Sequence, residues 1–448
     1  MQKAINYPRV LLIGVGFNTY TPGGITFVNL FKGWPKNQLA VAAIGKDYIG
    51  CDVCDNYYLL GSLEDHWIWP FNYIKRTGNV SGPFTTWDPY KQNFADNKTP
   101  KPTLMRGLFY TILNALGIND LVKRLEVSNQ FFEWAEAFSP DLIFCTLSTL
   151  KLIRFVDNLS LMMQLPSVVH MMDDWPSTIY RQGLFSPYMR WRTDIEFRRL
   201  IARSTALGIS QAMCDEYKVR YGKEFIPFHN PVDLNIWVKN SKKTWKTGSP
   251  FKVRYGGRIG TAIHESVIDI AEAIEEINES GIPVLFDLYI DLDENEFIKK
   301  ISKYKSAIVH PKLPYEQVPI STAEADLLVI PYDFDNQSIR FIQYSMATKV
   351  SEFMASGTPI LVYAPEQTAV VKYALSNKWG SVVSQRNKPL LKQMIIQLIQ
   401  TPGLRESLGR QAQALATRNH DALKVREQFR RVLTETAERG IPIYDPRF

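Results

Sequence analysis

The chain has 448 residues, too many for one ordinary hydrophobic core and suited to two domains of about 200 residues each. Hydrophobic residues make up 45% of it and charged residues 22%, which excludes wholesale disorder. The net charge of +7 arises without a dense Lys/Arg tract, so anionic small molecules or headgroups are expected as partners and nucleic acid is not.

Residues 9–14 read as a buried parallel strand running into Gly14-Val15-Gly16. A loop through Thr21-Pro22-Gly23-Gly24, a helix over 25–31 and a strand over 39–44 complete a Rossmann-like opening. Thr19 stands where the dinucleotide fingerprint needs a third glycine, so NAD is not expected. Cys51 and Cys54 form a CxxC with no second ligand pair, and with Cys145 and Cys214 they read as free thiols. An aromatic insertion over about 62–110, with Trp67, Trp69, Trp87, Tyr90 and Phe94, reads as a long loop packing its own small core. Sugar stacking or membrane contact is its alternative.

Helical periodicity spans 119–138, and strands follow at 142–145, 167–170 and 206–209, with a helix over 187–204 before the last. The polar stretch 241–250 reads as an interdomain linker. Strand–helix alternation then restarts, with strands expected at 251–255, 283–289, 307–309, 327–330 and 360–362. Two such blocks predict an α/β protein of two Rossmann-like, doubly wound domains facing each other across a cleft. No segment reaches the roughly 20 apolar residues of a membrane span, so a cytoplasmic protein is expected.

The stretch from Ser345 to Ile360 carries the most chemistry. A polar turn opens a helix on which Lys349 and Glu352 share a face, and Gly357 and Pro359 end it. Free N–H groups at a helix start, with a lysine beside them, suit a diphosphate. The two oxygens of Glu352 suit a ribose diol. Tyr255-Gly256-Gly257-Arg258 places a forked cation after a strand, where glycines leave room for a phosphate. His170 closes a strand, and ligands of open α/β sheets bind beyond strand C-termini. Asp173 and Asp174 are adjacent on an extended chain, so no metal is expected there.

These segments resemble, in order, those of the GT-B glycosyltransferases of the group 1 retaining type. Glu352 matches the second acid of that family's Glu-x7-Glu motif, whereas Tyr344 stands at the first. Gly256-Gly257-Arg258, Asp173-Asp174-Trp175-Pro176, Asn230-Pro231-Val232-Asp233 and Pro22-Gly23-Gly24 are similar to its other signatures. The resemblance implies a metal-independent hexosyl transfer from a nucleotide-sugar donor to a saccharide or glycolipid acceptor, with retention and without a cofactor, in surface polysaccharide or glycoconjugate synthesis. It implies Gly23, Gly24, Gly257, Arg258, Ser345, Lys349 and Glu352 as donor contacts, and His170, Asp173, Arg258 and Lys349 as the catalytic set. It further implies an acceptor domain over 1–240, a donor domain over 241–405 and a tail over 406–448 that returns to the first domain. Peripheral contact with the inner face of a membrane is an added expectation. A non-catalytic nucleotide-binding module, favoured by Tyr344, and a nucleotide-sugar epimerase are the alternatives.

Overall fold

The computed structural model describes residues 7–18, 21–44, 53–69, 71–73, 80–84, 111–113 and 115–441; Cys51, Trp87, Tyr90 and Phe94 lie outside the described residues. The chain forms two compact units. The first comprises Met1–Ile209, Cys214–Phe228 and Arg426–Phe448, and the second Ser210–Met213 and His229–Val425.

The main sheet of the first unit uses β1 (Val10–Ile13), β2 (Leu39–Ala43), β3 (Tyr57–Leu59), β5 (Gly82–Phe84), β7 (Leu142–Cys145), β8 (Ser167–Met171), β9 (Thr205–Gly208) and β10 (Ile226–Pro227). Their order is β10-β9-β8-β7-β1-β2-β3-β5, parallel except for β5 at one edge. β4 (Asp65–Trp67) and β6 (Lys123–Leu125) pair separately and antiparallel. The second unit holds β11 (Phe251–Gly256), β12 (Val284–Ile290), β13 (Ala307–Pro311), β14 (Leu327–Pro331), β15 (Ile360–Tyr363) and β16 (Ser381–Val383), all parallel in the order β13-β12-β11-β14-β15-β16. Every residue of β1, β2, β7 and β15 is buried, as continuous apolar strands covered on both faces must be.

Five helices matter below: α1 (Pro22–Phe31), α2 (Asn129–Phe138), α3 (Ser186–Arg203), α4 (Thr348–Ser356) and α5 (Ala422–Arg439). The expected loop through Pro22-Gly23-Gly24 is instead the first turn of α1. The Thr21 hydroxyl accepts from the Gly24 N–H at 3.1 Å, and Pro22 at the first helical position has the right φ and lacks only an N–H that would be unbonded anyway.

The expected helix over 119–138 is broken. Residues 123–125 pair with β4, and the Ser128 hydroxyl starts α2 afresh by accepting from the Phe131 N–H at 3.1 Å. Three strand residues inside a helical periodicity are set by their partner strand, which lies far away in sequence. The expected linker at 241–250 is bound into the second unit. The Lys242 N–H donates to Ser356 O at 2.8 Å, and buried Trp245 donates from Nε1 to Gly357 O at 3.0 Å. Trp67, Ile68 and Phe71 of the aromatic insertion pack with Leu113, Ile118 and Val122, which follow it, in a small core. Among the described residues no helix is long and apolar enough to cross a membrane.

From Arg426 onward α5 belongs to the first unit. There Phe429 is fully buried, with its ring edge-on to Phe31 at 5.1 Å, Phe144 at 5.6 Å and Phe228 at 5.5 Å. Phe429→Ala removes the ring that joins these three. It is expected to cost about 3–5 kcal/mol, read as a lowered midpoint in denaturant unfolding.

Candidate functional site

In each sheet the winding reverses once, between β1 and β7 in the first unit and between β11 and β14 in the second. Connections leave the two central strands toward opposite faces, so a crevice opens beyond the C-terminal ends of those strands. Gly23, Gly24 and Asp173 lie at the first of these places, and Gly257, Arg258 and Lys349 come together after β11 at the second.

In the first unit a cavity of about 380 Å³ sits at the reversal, lined by Gly14 and Gly16 after β1, Thr146 and Ser148 after β7, and Gly23 and Gly24 of α1. A Cβ on Gly24 would lie 2.3 Å from the Asn18 carboxamide oxygen, which accepts from the Thr21 N–H and hydroxyl, each at 2.8 Å. Only glycine fits this close packing of the loop onto the helix start. Asp173 also lines the cavity and is exposed. Its neighbour Asp174 is buried and engaged, accepting from Tyr217 Oη at 2.7 Å and from Arg220 at 2.8 and 3.2 Å. His170 is fully buried and does not line the cavity. Its ring stands edge-on to Phe144 and to Phe27, which is itself a lining residue.

In the second unit, Gly256, Gly257 and Arg258 leave β11 while α4 brings up Lys349 and Glu352. Gly257 has φ +142°, and a Cβ there would lie 2.5 Å from Lys349 Nζ, so the ammonium occupies the space that glycine leaves. Lys349 Nζ donates to Tyr255 Oη at 3.2 Å and sits 4.3 Å from that ring's centre. Tyr255 Oη donates in turn to Arg258 O at 2.6 Å, so one buried tyrosine holds the lysine and the turn carrying the arginine. Among the described residues neither Lys349 nor Arg258 makes a salt bridge, although the Glu352 charge acts on Lys349, and the Arg258 side chain is exposed.

Glu352 is buried and accepts from Tyr315 Oη at 3.2 Å. The turn before α4 is fixed from outside: Ser210 Oγ donates to Tyr344 O at 2.6 Å, and the Ser345 N–H to Ile342 O at 3.0 Å. No side chain caps α4 at Ala347, and Asn230 Nδ2 donates to Thr348 O at 3.4 Å. The α4 start without a side-chain cap, Lys349 against the glycine turn that carries Arg258, and the Glu352 carboxylate one turn on make an arrangement suited to an anion with a polar appendage.

No family model matches the sequence, and no curated protein matches it. Solved structures do match in shape. A sucrose-phosphate synthase from Thermosynechococcus elongatus aligns with a TM-score of 0.60 at 11% identity, over 96% of this chain and 99% of that one. HepE of Anabaena, solved in complex with UDP and glucose, aligns with a TM-score of 0.58 at 14% identity, over 96% and 100%. A glycosyltransferase from Rickettsia africae aligns with a TM-score of 0.58 at 10% identity, over 96% and 98%. This is the GT-B fold.

Two residues of this GT-B chain were not singled out from sequence. Tyr255 adjoins the glycine turn and ends an apolar strand, a signal within reach. Tyr315 opens the 3-10 helix Tyr315–Gln317, far from Glu352 in sequence, and nothing local marks it. Burial is the largest influence on both charged groups of α4, pushing Lys349 down to about 7 and Glu352 up to about 7. A carboxyl whose folded value is raised binds more protons folded than unfolded between its ordinary value and about 7, so it destabilises increasingly as pH rises through that window. Glu352→Gln removes this penalty. The variant is expected to melt higher than the parent at pH 8 and with it at pH 5.

Proposed function

We propose that the chain is a metal-independent glycosyltransferase that takes a nucleotide-sugar donor, with UDP-glucose the first to test. The observation that carries this reading is Lys349, a half-buried lysine with no salt bridge among the described residues and Glu352 as its electrostatic partner, seated against Gly257 beside the Arg258 turn. An arriving anion favours the charged form of such a lysine, and a diphosphate spans the lysine, the arginine and the α4 N–H groups. Glu352, one helical turn on, then accepts from the ribose hydroxyls. The HepE complexes with UDP and with UDP-glucose support that choice of donor.

In this reading the cations offset the charge that develops on the leaving diphosphate, the work a metal ion performs elsewhere. Among the described residues no enzymic nucleophile stands out, so a front-side transfer with retention, assisted by the donor phosphate, is the proposed course. Gly23, Gly24 and the α1 start leave room for an acceptor, and Asp173 faces the same cavity. His170 acts from beneath, by holding Phe27 in the cavity wall. The acceptor is a saccharide or glycolipid.

Among UDP, GDP, ADP and TDP, UDP should raise the melting temperature most, since a ligand at about 100 times its Kd adds about 2.7 kcal/mol. Lys349→Ala and Arg258→Ala should each slow UDP release from UDP-glucose by roughly ten- to a thousandfold. Normal rates in the Lys349 variant would remove the lysine from the site. Binding of UDP without turnover on any saccharide or glycolipid would instead favour the non-catalytic module. Turnover is also expected to survive EDTA, and a loss restored by Mg²⁺ or Mn²⁺ would refute metal independence.

A further inference from the structure

The helix α3 is apolar on two sides. Met189, Thr193, Phe197 and Leu200 turn one face into the core. At about 100° per residue, Tyr188, Trp191 and Ile195 fall on the opposite face, and they are 45%, 56% and 43% exposed. Leu184, 73% exposed in the turn before the helix, continues their line at the same i, i+4, i+7 spacing. The Tyr188 and Trp191 rings lie 5.8 Å apart, so the middle of the stripe is an aromatic pair flanked by Leu184 and Ile195. A core helix needs one apolar face. The second is an exposed patch of the kind that marks an interaction site.

Charge borders the stripe. Between Arg181 and Arg203 stand six arginines and two acids, Asp194 and Glu196, a surplus of four within a chain whose net charge is +7. On the helical projection Arg198 edges the stripe on one side, with Arg192 and Arg199 on the other. Ion pairs fix all three in place, to Asp194 at 2.7 Å, Glu196 at 2.6 Å and Asp157 at 2.6 Å. Their side chains remain 43–50% exposed, with N–H groups left to donate.

We propose that this face of α3 docks on the headgroup region of an anionic lipid bilayer. Tyrosine and tryptophan favour that boundary because one end of each ring system is apolar and the other polar, and flanking arginines meet the lipid phosphates. A second copy of the chain is the poorer occupant, because an isologous contact would set arginine against arginine. The inference stands independently of the proposed reaction.

The full chain is centrifuged with vesicles of phosphatidylcholine alone and of phosphatidylcholine mixed with phosphatidylglycerol. It should sediment with the mixed vesicles only, and less as salt rises. Paired substitution of Trp191→Glu and Ile195→Glu should weaken that binding roughly tenfold or more while leaving the melting temperature unchanged, since both side chains are exposed. Trp191→Phe should retain binding, and so should Leu423→Glu, which alters an exposed leucine outside α3. Equal sedimentation with phosphatidylcholine alone, or undiminished binding by the paired variant, would overturn the proposal. So would a parent that elutes as a dimer and a paired variant that elutes as a monomer, because the stripe would then belong to a second copy.

Discussion

A parallel strand cannot be reached through a tight turn. Each one requires a crossover, usually helical, and the crossover is right-handed almost without exception. A sheet built outward in both directions from its first strand must therefore reverse its winding once, and at that place the chain leaves the sheet without covering it. Both sheets here do so beside their first strand, at β1 and at β11. The glycine loops, the α1 start, Arg258 and the bed for Lys349 all follow from that geometry. Groups remote in sequence, such as Gly257 and Lys349, meet because the sheet order brings them together.

Within the second unit the decisive local feature is the exchange of a side chain for a cation. Gly257 supplies no Cβ, and the Lys349 ammonium fills its place over the Tyr255 ring. Burial then works against the charge, which is why Lys349 titrates near neutrality instead of in the usual lysine range. Glu352 is held in the complementary condition, raised by the same burial.

The strands were legible because parallel strands buried on both faces are written as unbroken apolar runs, as in Val10-Leu11-Leu12-Ile13 and Leu327-Leu328-Val329-Ile330. The start of α4 and the Gly256-Gly257-Arg258 turn were legible for a different reason, since glycine, a polar turn and a lone cation are local signals. What escaped depended on distant partners. Residues 123–125 carry a helical pattern that β4 overrides, and 241–250 look like a linker until Trp245 is seen bonded to Gly357. Tyr315 reaches Glu352 only through the fold. The second apolar face of α3 was hidden because hydrophobic periodicity reports one stripe readily and blurs when two lie opposite each other.

The first unit is made from both ends of the chain. The Phe429 ring that closes the aromatic cluster of Phe31, Phe144 and Phe228 leaves the ribosome after the whole of the second unit. During synthesis the second unit can complete its core first, while the earlier-made one waits with an open apolar socket. Vectorial synthesis therefore reverses the order of maturation. A ribosome stalled before Arg426 would release a chain with one unit finished and the other unsealed.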